Sequence, residues 1–239
     1  MPVRKSGPPA IKKPAPYEVD LSDADGRKPS RAGSATRKKI LDAAERLFAD
    51  AGYDGTSLRD ISEASESHLA LSTYHFGTKE QLFDEVIRRR AIELEGARLA
   101  GLARIDLDAQ PPAETVRMLI EAYSTPMIQA RFSKSAQWEA YVRLIAGMAN
   151  TGRWTSYIRK HYDKCAQIYV ASWKKVLPKA NPDSLLHAFS FMVVTTLYVC
   201  SYTNRFEEWE KGGKRTRNER IKVLTDDLFG FVHAGFMAL

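Results

Sequence analysis

Apolar residues recur at three- and four-residue spacing through most of the chain, which is the spacing of one face of an α-helix. The first such stripe begins after Thr36, and Gly52 follows it as a residue suited to a helix C-terminus. Its apolar positions are Ile40, Leu41, Ala44, Leu47 and Phe48. The pattern predicts an amphipathic helix that begins at Thr36 and ends at Gly52.

Two capping boxes mark where further helices begin. Ser57 with Asp60, and Thr78 with Gln81, have the spacing at which two side chains satisfy each other's free backbone N–H groups. The first predicts a short helix after Ser57. The second predicts a long helix that runs past Leu94 towards Ala103.

The rest of the chain has the same helical pattern. Asn181 followed by Pro182 is a helix start, and Pro126 is expected to bend the helix that contains it. The remaining predicted helices cover residues 69–76, 113–129, 135–149, 153–177 and 218–236. No alternating run is long enough for a strand, so the sequence predicts an all-α fold.

The first 35 residues have a different composition, with six of the eleven prolines and few large apolar side chains. Such a segment cannot offset the entropy of ordering, so we expect residues 1–35 to form a mobile basic arm. The positive charges in this arm and at the start of the first helix suggest that the arm follows a phosphate track or the minor groove of DNA. They are Arg27, Lys28, Arg31, Arg37, Lys38 and Lys39. A merely solubilising tail is the alternative.

Charge and cysteine content place few limits on function. The net charge of +7 is spread along the chain, and residues 36–90 hold nine Lys and Arg against ten Asp and Glu. Charge is therefore weak evidence for a polyanionic partner. Two cysteines cannot build a disulfide framework, which favours a cytoplasmic protein.

One stretch has the length of a membrane span. Ser184 to Asn204 are 21 residues without Asp, Glu, Lys or Arg. The stretch also holds eight Ser, Thr, His and Asn residues, too many for a helix facing lipid. We expect a helix buried on all sides in a core or subunit interface, and no membrane partner.

The segment from Leu58 to Phe76 has the order of a helix-turn-helix, two short helices joined by a tight turn. In such units the first helix braces the second, which enters the major groove of DNA. Small or polar residues, among them Ala70, Thr73 and Tyr74, are expected on the outer surface of the second helix. Lys79 and the free N–H groups beside it suit a phosphate.

Three motifs surround this unit: TRKKILDAAERLFADAGY at 36–53, TSLRDI at 56–61 and YHFGTKEQLF at 74–83. Together they resemble the DNA-binding domain of the tetracycline-repressor (TetR) family of bacterial transcription regulators. The resemblance implies a helix-turn-helix domain at residues 36–90. It also implies a larger helical domain at residues 91–239 that senses a small molecule and forms a homodimer.

The resemblance assigns roles on double-stranded DNA to several positions. It implies base or phosphate contacts for the bracing helix, the recognition helix and the start of the next helix. The candidate DNA-binding residues are Arg37, Thr56, Arg59, His68, Leu69, Ala70, Leu71, Thr73, Tyr74, His75 and Lys79. Packing within the protein is the alternative role for Tyr74 and His75.

The turn departs from the family pattern. Ser65-Glu66-Ser67 stands where alanine, glycine and valine are usual, and Ser72 stands where a buried Leu or Val is usual. Without the glycine, a residue with a side chain must adopt a positive φ. We expect a weakened local core and a negative charge at Glu66 close to the DNA.

Residues 91–239 hold most of the large aromatic and sulfur side chains, which predicts a cavity for an apolar or aromatic effector. The candidate ligand-binding residues are Met118, Tyr123, Trp138, Tyr141, Met148, Tyr162, Cys165, Tyr169 and His187. For each of them, ordinary core packing is the alternative. The family's dimer interface implies roles for Phe191, Val194, Tyr198, Leu224, Leu228 and Phe231.

The residues favour a regulator over an enzyme. His161 and Cys165 are four residues apart, but a lone pair at this spacing is poor evidence for a metal. Neither a nucleophile elbow nor a dinucleotide fingerprint is present, so we expect no catalysis and no cofactor. The sequence thus predicts a repressor that a ligand releases from a palindromic operator. The alternative is a helical sensor or carrier that has lost DNA binding.

Overall fold

A computed structural model describes residues 31–108, 111–149, 151–200 and 216–239. Every regular element in these ranges is helical, which confirms the all-α prediction. The helices are α1 (Arg31–Ala51), α2 (Leu58–Ala64), α3 (Leu69–Phe76), α4 (Lys79–Leu102), α5 (Pro112–Phe132), α6 (Ala136–Ala149), α7 (Thr155–Val176), α8 (Pro182–Cys200) and α9 (Arg217–Met237). A single 3-10 turn, Gly152–Trp154, precedes α7.

Both predicted capping boxes form. The Ser57 hydroxyl accepts the backbone N–H of Asp60, and the Asp60 carboxylate accepts the backbone N–H of Ser57. Thr78 and Gln81 make the same reciprocal pair at the start of α4. Since residues close in sequence fix the start of α2 and the start of α4, both starts were predictable from sequence.

The predicted end of α1 at Gly52 and the predicted start of α8 at Asn181 are also correct. Gly52 has φ +72°, and its N–H donates to the Phe48 carbonyl at 3.1 Å, which ends α1. At the start of α8, the Asn181 side-chain oxygen accepts the N–H groups of Asp183 and Ser184 at 2.9 and 3.1 Å. Glycine is suited to position 52 because it adopts the positive φ of this helix end without strain.

Helix α1 begins at Arg31, earlier than the predicted Thr36. The difference has a local cause, because the last proline of the arm is Pro29 and the residues after it, unlike proline, can donate the backbone hydrogen bonds of a helix. The Thr36 hydroxyl donates to the Ala32 carbonyl one turn back, at 3.2 Å. Residues 31–35 are thus helical, while the predicted arm at 1–30 lies outside the described residues.

Helix α4 connects the N-terminal helices to the remainder of the fold. It packs against α1 and α3 near its start, and against α5 and α7. Helix α5 also packs against α8 and α9, which pack against each other. The largest fully buried side chains are Trp173, Tyr141, Tyr169, Phe48 and Phe83.

An aromatic cluster joins the N-terminal helices to α7. The Phe83 ring centroid lies 5.0 Å from Phe48, 5.1 Å from Tyr53 and 4.9 Å from Trp154. An ion pair between Arg143 of α6 and Asp50 of α1, at 2.6 Å, adds a second connection. Movement of the larger helical unit can therefore be transmitted to the N-terminal helices through packed side chains.

Helix α8 is the one described helix long and apolar enough to cross a membrane by length and composition alone. One of its faces packs against α5, α6, α7 and α9. Its opposite face leaves apolar side chains exposed, namely Leu186, Phe191, Val194 and Tyr198. The single chain covers only part of α8, so the chain's own core does not bury this helix on all sides, and its burial in a subunit interface stays a prediction.

Candidate functional site

The turn between α2 and α3 keeps its shape without glycine. Glu66 has φ +52°, in the left-handed region that side chains disfavour. The Glu66 N–H donates to the Glu63 carbonyl at 3.1 Å, and the Ser67 N–H donates to the Ser62 carbonyl at 2.9 Å. These bonds hold a strained residue in place, and the exposed Glu66 carries a negative charge beside α3.

Serine hydroxyls fill the contact between α2 and α3. Ser62 and Ser72 are buried, and their oxygens lie 2.9 Å apart in a mutual hydrogen bond. Ser65 donates to the Ser62 carbonyl at 3.2 Å, and its oxygen lies 2.8 Å from that of Ser67. The hydroxyl that Ser72 buries is therefore satisfied, because Ser62 on α2 supplies a hydrogen-bonding partner for it.

Helix α3 has one exposed face and one buried face. Leu69, Leu71 and Tyr74 are 47%, 37% and 49% exposed. Ala70 and Thr73 are exposed beside them. These five predicted contact residues thus form one surface, the α3 face, which projects an apolar and hydroxyl-bearing side into solvent.

His75 points the other way. It is 7% exposed and packs edge-on against Tyr74 and Phe76, with ring centroids 5.2 and 6.2 Å apart. The structure therefore places His75 between α3 and the protein core, the packing alternative considered for it. Its side chain is not part of the α3 face.

Arg37 also lies inside the protein. It is 8% exposed, and its guanidinium donates to the Glu85 carboxylate at 2.6 Å. The same guanidinium lies 4.9 Å from the centroid of the Phe76 ring. Arg37 therefore connects α1 to α4 and α3 instead of facing solvent with the other candidates.

Thr56 and Lys79 hold the connection between α1 and α2. The Lys79 ammonium donates to the carbonyls of Tyr53 and Thr56, both at 3.0 Å, and lies 4.2 Å from the Tyr53 ring centroid. The buried Thr56 hydroxyl donates to the Gly52 carbonyl at 2.8 Å. Both side chains have structural partners at the edge of the α3 face.

Arg59 and His68 are the exposed polar candidates. The Arg59 side chain is 82% exposed and donates to Glu63 one turn later at 3.2 Å. His68 is the N-cap residue of α3, and its exposed side chain makes no cap hydrogen bond. Both side chains are accessible to a partner that covers the α3 face.

A cavity of about 130 Å³ lies between α4, α5, α6, α7 and α8. Among the predicted ligand-binding residues, it brings together Tyr123 and Tyr162. Its other lining residues are Arg98, Met127, Ile145, Ala149, Ile158, Asp163, Ala166, Phe189, Val193, Thr196 and Leu197. We call this space the central cavity.

The other ligand-binding candidates lie elsewhere. Tyr141, Met148, Cys165 and Tyr169 are buried outside the lining of the central cavity. Burial raises the pKa of the Cys165 thiol to about 11, so this side chain is a neutral apolar group.

Three further candidates line two other depressions. Met118 and Trp138 line an open groove along α4 and α5. His187 lies at the surface between α8 and α9. None of the three is next to Tyr123 and Tyr162, so the predicted set does not form a single site.

Two tyrosines connect the central cavity to α4. The Tyr162 hydroxyl is hydrogen-bonded to the Tyr141 hydroxyl, which in turn donates to the Ile87 carbonyl at 3.5 Å. Burial raises the pKa of both phenols, which keeps them protonated at neutral pH. A molecule that displaces the Tyr162 ring therefore perturbs a chain of contacts that ends on α4.

The predicted dimer residues share an apolar surface on α8 and α9. Phe191 and Phe231 are 67% and 72% exposed, and Val194 and Tyr198 are also exposed. Leu224 is half-buried, while Leu228 is buried within its own chain. We call the exposed part the α8–α9 face, and exposed apolar side chains that lie together are typical of an interaction surface.

Two family profiles match the chain. The profile of bacterial regulatory proteins of the TetR family matches residues 40–86. The profile of the tetracyclin repressor-like C-terminal domain matches residues 121–235. The chain belongs to the TetR family.

Curated relatives within the TetR family match part of the chain. The repressor AcnR of Corynebacterium glutamicum is 36% identical over 74 residues, which are 31% of this chain and 37% of AcnR. The repressor Rv3405c of Mycobacterium tuberculosis is 31% identical over 125 residues, 47% of this chain and 62% of the relative. The chain thus matches about a third to under two thirds of the length of these relatives.

Solved structures share the TetR fold at low sequence identity. A TetR-like regulator from Rhodococcus sp. RHA1 superposes with a TM-score of 0.57 at 15% identity, over 89% of this chain and all of the other. AibR, solved with isovaleryl coenzyme A and operator DNA, gives 0.54 at 20% identity, over 82% of this chain and 97% of AibR. At these identities the likeness establishes the fold.

Sequence reasoning missed several residues of this TetR-family cavity. Arg98 is 5% exposed and lines it from α4, and Phe189, Val193 and Thr196 line it from α8. A signal was present for Arg98, because Ala91, Leu94 and Arg98 share the spacing of a helix face and the first two are apolar. An arginine that continues a buried stripe is a candidate for a cavity or a buried ion pair.

Proposed function

We propose that this chain is a dimeric transcriptional repressor that binds a palindromic operator through α3 and releases it when a small molecule enters the central cavity. The α3 face is the observation that carries the proposal. Three large side chains stand exposed there on a helix of eight residues, while the opposite side of that helix is packed. Isolated domains seldom leave such a surface uncovered without a partner.

The chemistry of the α3 face suits the major groove. Leu69 and Leu71 offer methyl groups that pack against thymine methyls, and the Thr73 and Tyr74 hydroxyls can donate to phosphates. Tyr74 is also long enough to reach along the groove wall. This surface reads DNA by shape and methyl contact more than by paired hydrogen bonds.

Basic side chains around the α3 face supply phosphate contacts in the proposal. Arg59 is free to exchange its exposed partner Glu63 for a phosphate, since exposed pairs of this kind contribute little. Lys79 has three N–H donors and uses two of them on carbonyls, so one remains for a phosphate. We leave the buried Arg37 and His75 out of the proposed interface.

The relatives support a regulatory role. AcnR and Rv3405c are named as transcriptional repressors, and AibR was solved with both operator DNA and isovaleryl coenzyme A. By analogy we assign DNA binding to residues 36–90, and ligand sensing and dimerisation to residues 91–239. The division falls inside α4, which makes α4 the part that both functions share.

We assign dimerisation to the α8–α9 face. Exposed Phe191 of α8 and Phe231 of α9 lie on helices that pack together, so one apolar surface runs across both. Two copies related by a two-fold axis bury this surface against itself and form a four-helix contact. A dimer presents two copies of α3, which must reach successive major grooves roughly 34–36 Å apart.

The cavity and the α3 face are coupled through α4. Arg98 lines the cavity near one end of α4 and Lys79 begins the other end, about 28 Å away at 1.5 Å per residue. The Tyr162–Tyr141 pair adds a contact at Ile87 between them. A ligand that favours a different tilt of α4 changes the spacing of the two α3 helices and weakens DNA binding.

Selection of duplexes from a random DNA pool by the full-length protein tests the DNA-binding role. We expect enrichment of a palindrome, and we expect Leu71→Ala to weaken binding to it by about tenfold. Ile168→Ala is a matched control, because Ile168 is equally exposed, at 37%, but lies on α7. Fluorescence anisotropy at several salt concentrations gives the affinities.

Two outcomes overturn the proposed repressor. If selection enriches no sequence, the chain is better described as a helical sensor or carrier that has lost DNA binding. If Leu71→Ala and Ile168→Ala weaken binding equally, the α3 face is not the reading surface. A repressor of this kind works in the cytoplasm, at the nucleoid while it is bound to DNA.

A further inference from the structure

The central cavity contains a buried cation. Arg98 is the one basic residue in its lining, and its side chain is almost fully buried. Asp163 is the one acidic residue in the lining and is only half-buried. The other lining residues are apolar, aromatic or hydroxyl-bearing.

The guanidinium of Arg98 is only partly satisfied by the protein. Its Nε donates to the Tyr123 carbonyl at 2.9 Å, and its carbon lies 3.9 Å from the Tyr123 ring centroid. Within the described ranges, no carboxylate oxygen approaches an Arg98 nitrogen within 4.0 Å. A guanidinium has five N–H donors, and its hydrogen bond to Tyr123 uses one.

A buried cation without a counter-charge is costly, because its desolvation is not repaid by an ion pair. The planar guanidinium fork matches a carboxylate, which accepts two parallel hydrogen bonds. An anionic ligand would therefore bind more tightly, because it forms an ion pair with Arg98 and thereby offsets the free energy that burial of the guanidinium costs. A neutral ligand of the same shape would gain neither.

The size of the cavity and the residues that line it restrict the shape and chemistry of the part of the ligand that carries the carboxylate. Its volume is about 130 Å³, close to the roughly 150 Å³ of an engineered cavity that holds benzene. Tyr123, Tyr162 and Phe189 supply aromatic surface, and Val193 and Ile158 supply aliphatic surface. The space suits one compact ring and is too small to enclose a whole nucleotide or a long acyl chain.

We infer that the effector is a small aromatic monocarboxylic acid whose carboxylate pairs with Arg98 while its ring fills the central cavity. This inference rests on the proposed function, since it names the class of ligand that would release DNA. The predicted class of effector, an apolar or aromatic molecule, is thereby restricted to aromatic acids with a single negative charge.

Calorimetric titration of the full-length dimer with three probes of one size and different charge tests the ligand class. The probes are benzoate, its neutral isostere benzamide, and the cationic benzylamine. We expect benzoate to bind at least about tenfold more tightly than benzamide, and benzylamine to bind most weakly. Equal binding of benzoate and benzamide, preferred binding of benzylamine, or no benzoate binding up to about 10 mM overturns the inference.

Variants at the two charged positions locate the interaction. Arg98→Met should reduce benzoate affinity to that of benzamide, and Arg98→Lys should retain part of the preference because it keeps the charge. Asp163→Asn is the control, since it removes a charge from the same cavity and should leave benzoate binding equal or tighter. A loss of benzoate binding in Asp163→Asn with none in Arg98→Met contradicts the assignment.

Arg98 also holds the Tyr123 carbonyl, so Arg98→Met can lower stability as well as ligand affinity. Ala166→Leu provides an independent variant, because it adds volume to the cavity wall, leaves Arg98 intact and removes no side-chain hydrogen bond. We expect it to weaken benzoate and benzamide alike. Unchanged binding of both probes would place the ligand outside the central cavity.

Failure of this inference can be separated from failure of the proposed repressor. Binding of an enriched duplex without ligand tests the repressor alone, and calorimetry without DNA tests the ligand class alone. Addition of benzoate to the protein–DNA complex then tests their connection. If DNA binding is specific but benzoate does not bind, the repressor stands and the carboxylate is wrong.

Discussion

The hydroxyls of Ser62 and Ser72 lie 2.9 Å apart and bridge α2 and α3 inside the protein. Ser62 also donates to the Leu58 carbonyl at 2.8 Å, so its hydroxyl has two partners. TetR-family proteins usually have a buried apolar side chain at the position of Ser72. In this chain a hydrogen bond takes the place of that apolar packing. The helix-turn-helix is therefore held by polar and apolar contacts together.

Removal of either hydroxyl should destabilise the protein, with coupling between the two. Ser72→Ala leaves Ser62 with its Leu58 partner, so we expect a cost of about 1 kcal/mol in the free energy of unfolding. The double variant Ser62→Ala/Ser72→Ala should cost less than the sum, with a coupling of about 0.5–1 kcal/mol. Urea unfolding of the four proteins measures this.

Ser156→Ala is the control for the serine cycle, because Ser156 is exposed on α7, outside both the α2–α3 contact and the α8–α9 face. It should change the unfolding free energy by less than about 0.5 kcal/mol. Strict additivity of Ser62→Ala and Ser72→Ala would show that the two hydroxyls act independently.

Replacement of Glu66 by glycine should stabilise the chain. Glu66 has φ +52°, a conformation that costs a side-chain-bearing residue about 1 kcal/mol. We therefore expect Glu66→Gly to raise the unfolding free energy by up to about 1 kcal/mol, and thermal unfolding measures the gain. Glu66→Gln keeps the side chain and should leave stability unchanged.

The same two variants separate strain from charge at the DNA. Both remove a negative charge near the α3 face, so both should tighten DNA binding by a similar factor. If only Glu66→Gly binds DNA more tightly, the benefit comes from the backbone of the turn. If Glu66→Gln is as stabilising as Glu66→Gly, the turn is not strained.

Local features of the fold could be predicted from sequence, and positions that depend on distant contacts could not. Gly52, Ser57, Thr78 and Asn181 act within one helical turn, so their roles follow from spacing alone. The start of α1 was predicted too late because the arm's prolines end at Pro29. Each of these conclusions involves residues that are close in the chain.

The same distinction between local and distant contacts applies to the residues of the candidate site. The exposed positions of α3 follow from helical periodicity, whereas the burial of Arg37 depends on Glu85, 48 residues away. The lining of the central cavity is supplied by five helices, so no window of sequence could separate Tyr162, which lines it, from Tyr141, which packs behind it. Predicting Arg98 required knowledge of the neighbours of α4.

Arg37 and Arg59 should have opposite effects on stability and DNA binding. Arg37→Met breaks a largely buried ion pair, although Glu85 keeps Arg88 as a partner at 2.6 Å. We expect a loss of about 2 kcal/mol in unfolding free energy. Arg59→Gln should leave stability unchanged and lower the salt dependence of DNA binding by about one counterion.

Each arginine variant is the control for the other, since Arg37→Met should change stability and Arg59→Gln should change only the salt dependence of DNA binding. Urea unfolding measures stability, and anisotropy against salt concentration measures the number of phosphate contacts. If Arg37→Met leaves the stability unchanged and lowers the salt dependence of DNA binding, Arg37 contacts DNA after all.

Asp84 of α4 makes part of the protein's stability sensitive to acid. Its carboxylate contacts Lys160 at 2.6 Å and His161 at 2.8 Å on α7. Burial alone would raise the pKa of Asp84, but the hydrogen bonds from His161 and Lys160 outweigh burial and hold it below 3.8. This contribution is therefore complete above the unfolded pKa of 3.8 and is lost as the pH falls through the lower folded value.

Asp84→Asn should lower the unfolding free energy at neutral pH and flatten its decline in acid. The residual slope comes from other carboxylates whose pKa is also lowered in the fold, such as that of Glu85, where hydrogen bonds from Arg88 and Arg37 outweigh burial. Asp226→Asn removes an exposed carboxylate paired with Lys222 and should leave the acid profile unchanged. Urea unfolding between about pH 7 and pH 3 measures all three proteins. A parallel decline in wild type and Asp84→Asn would show that the contacts of Asp84 with Lys160 and His161 contribute no acid-sensitive stability.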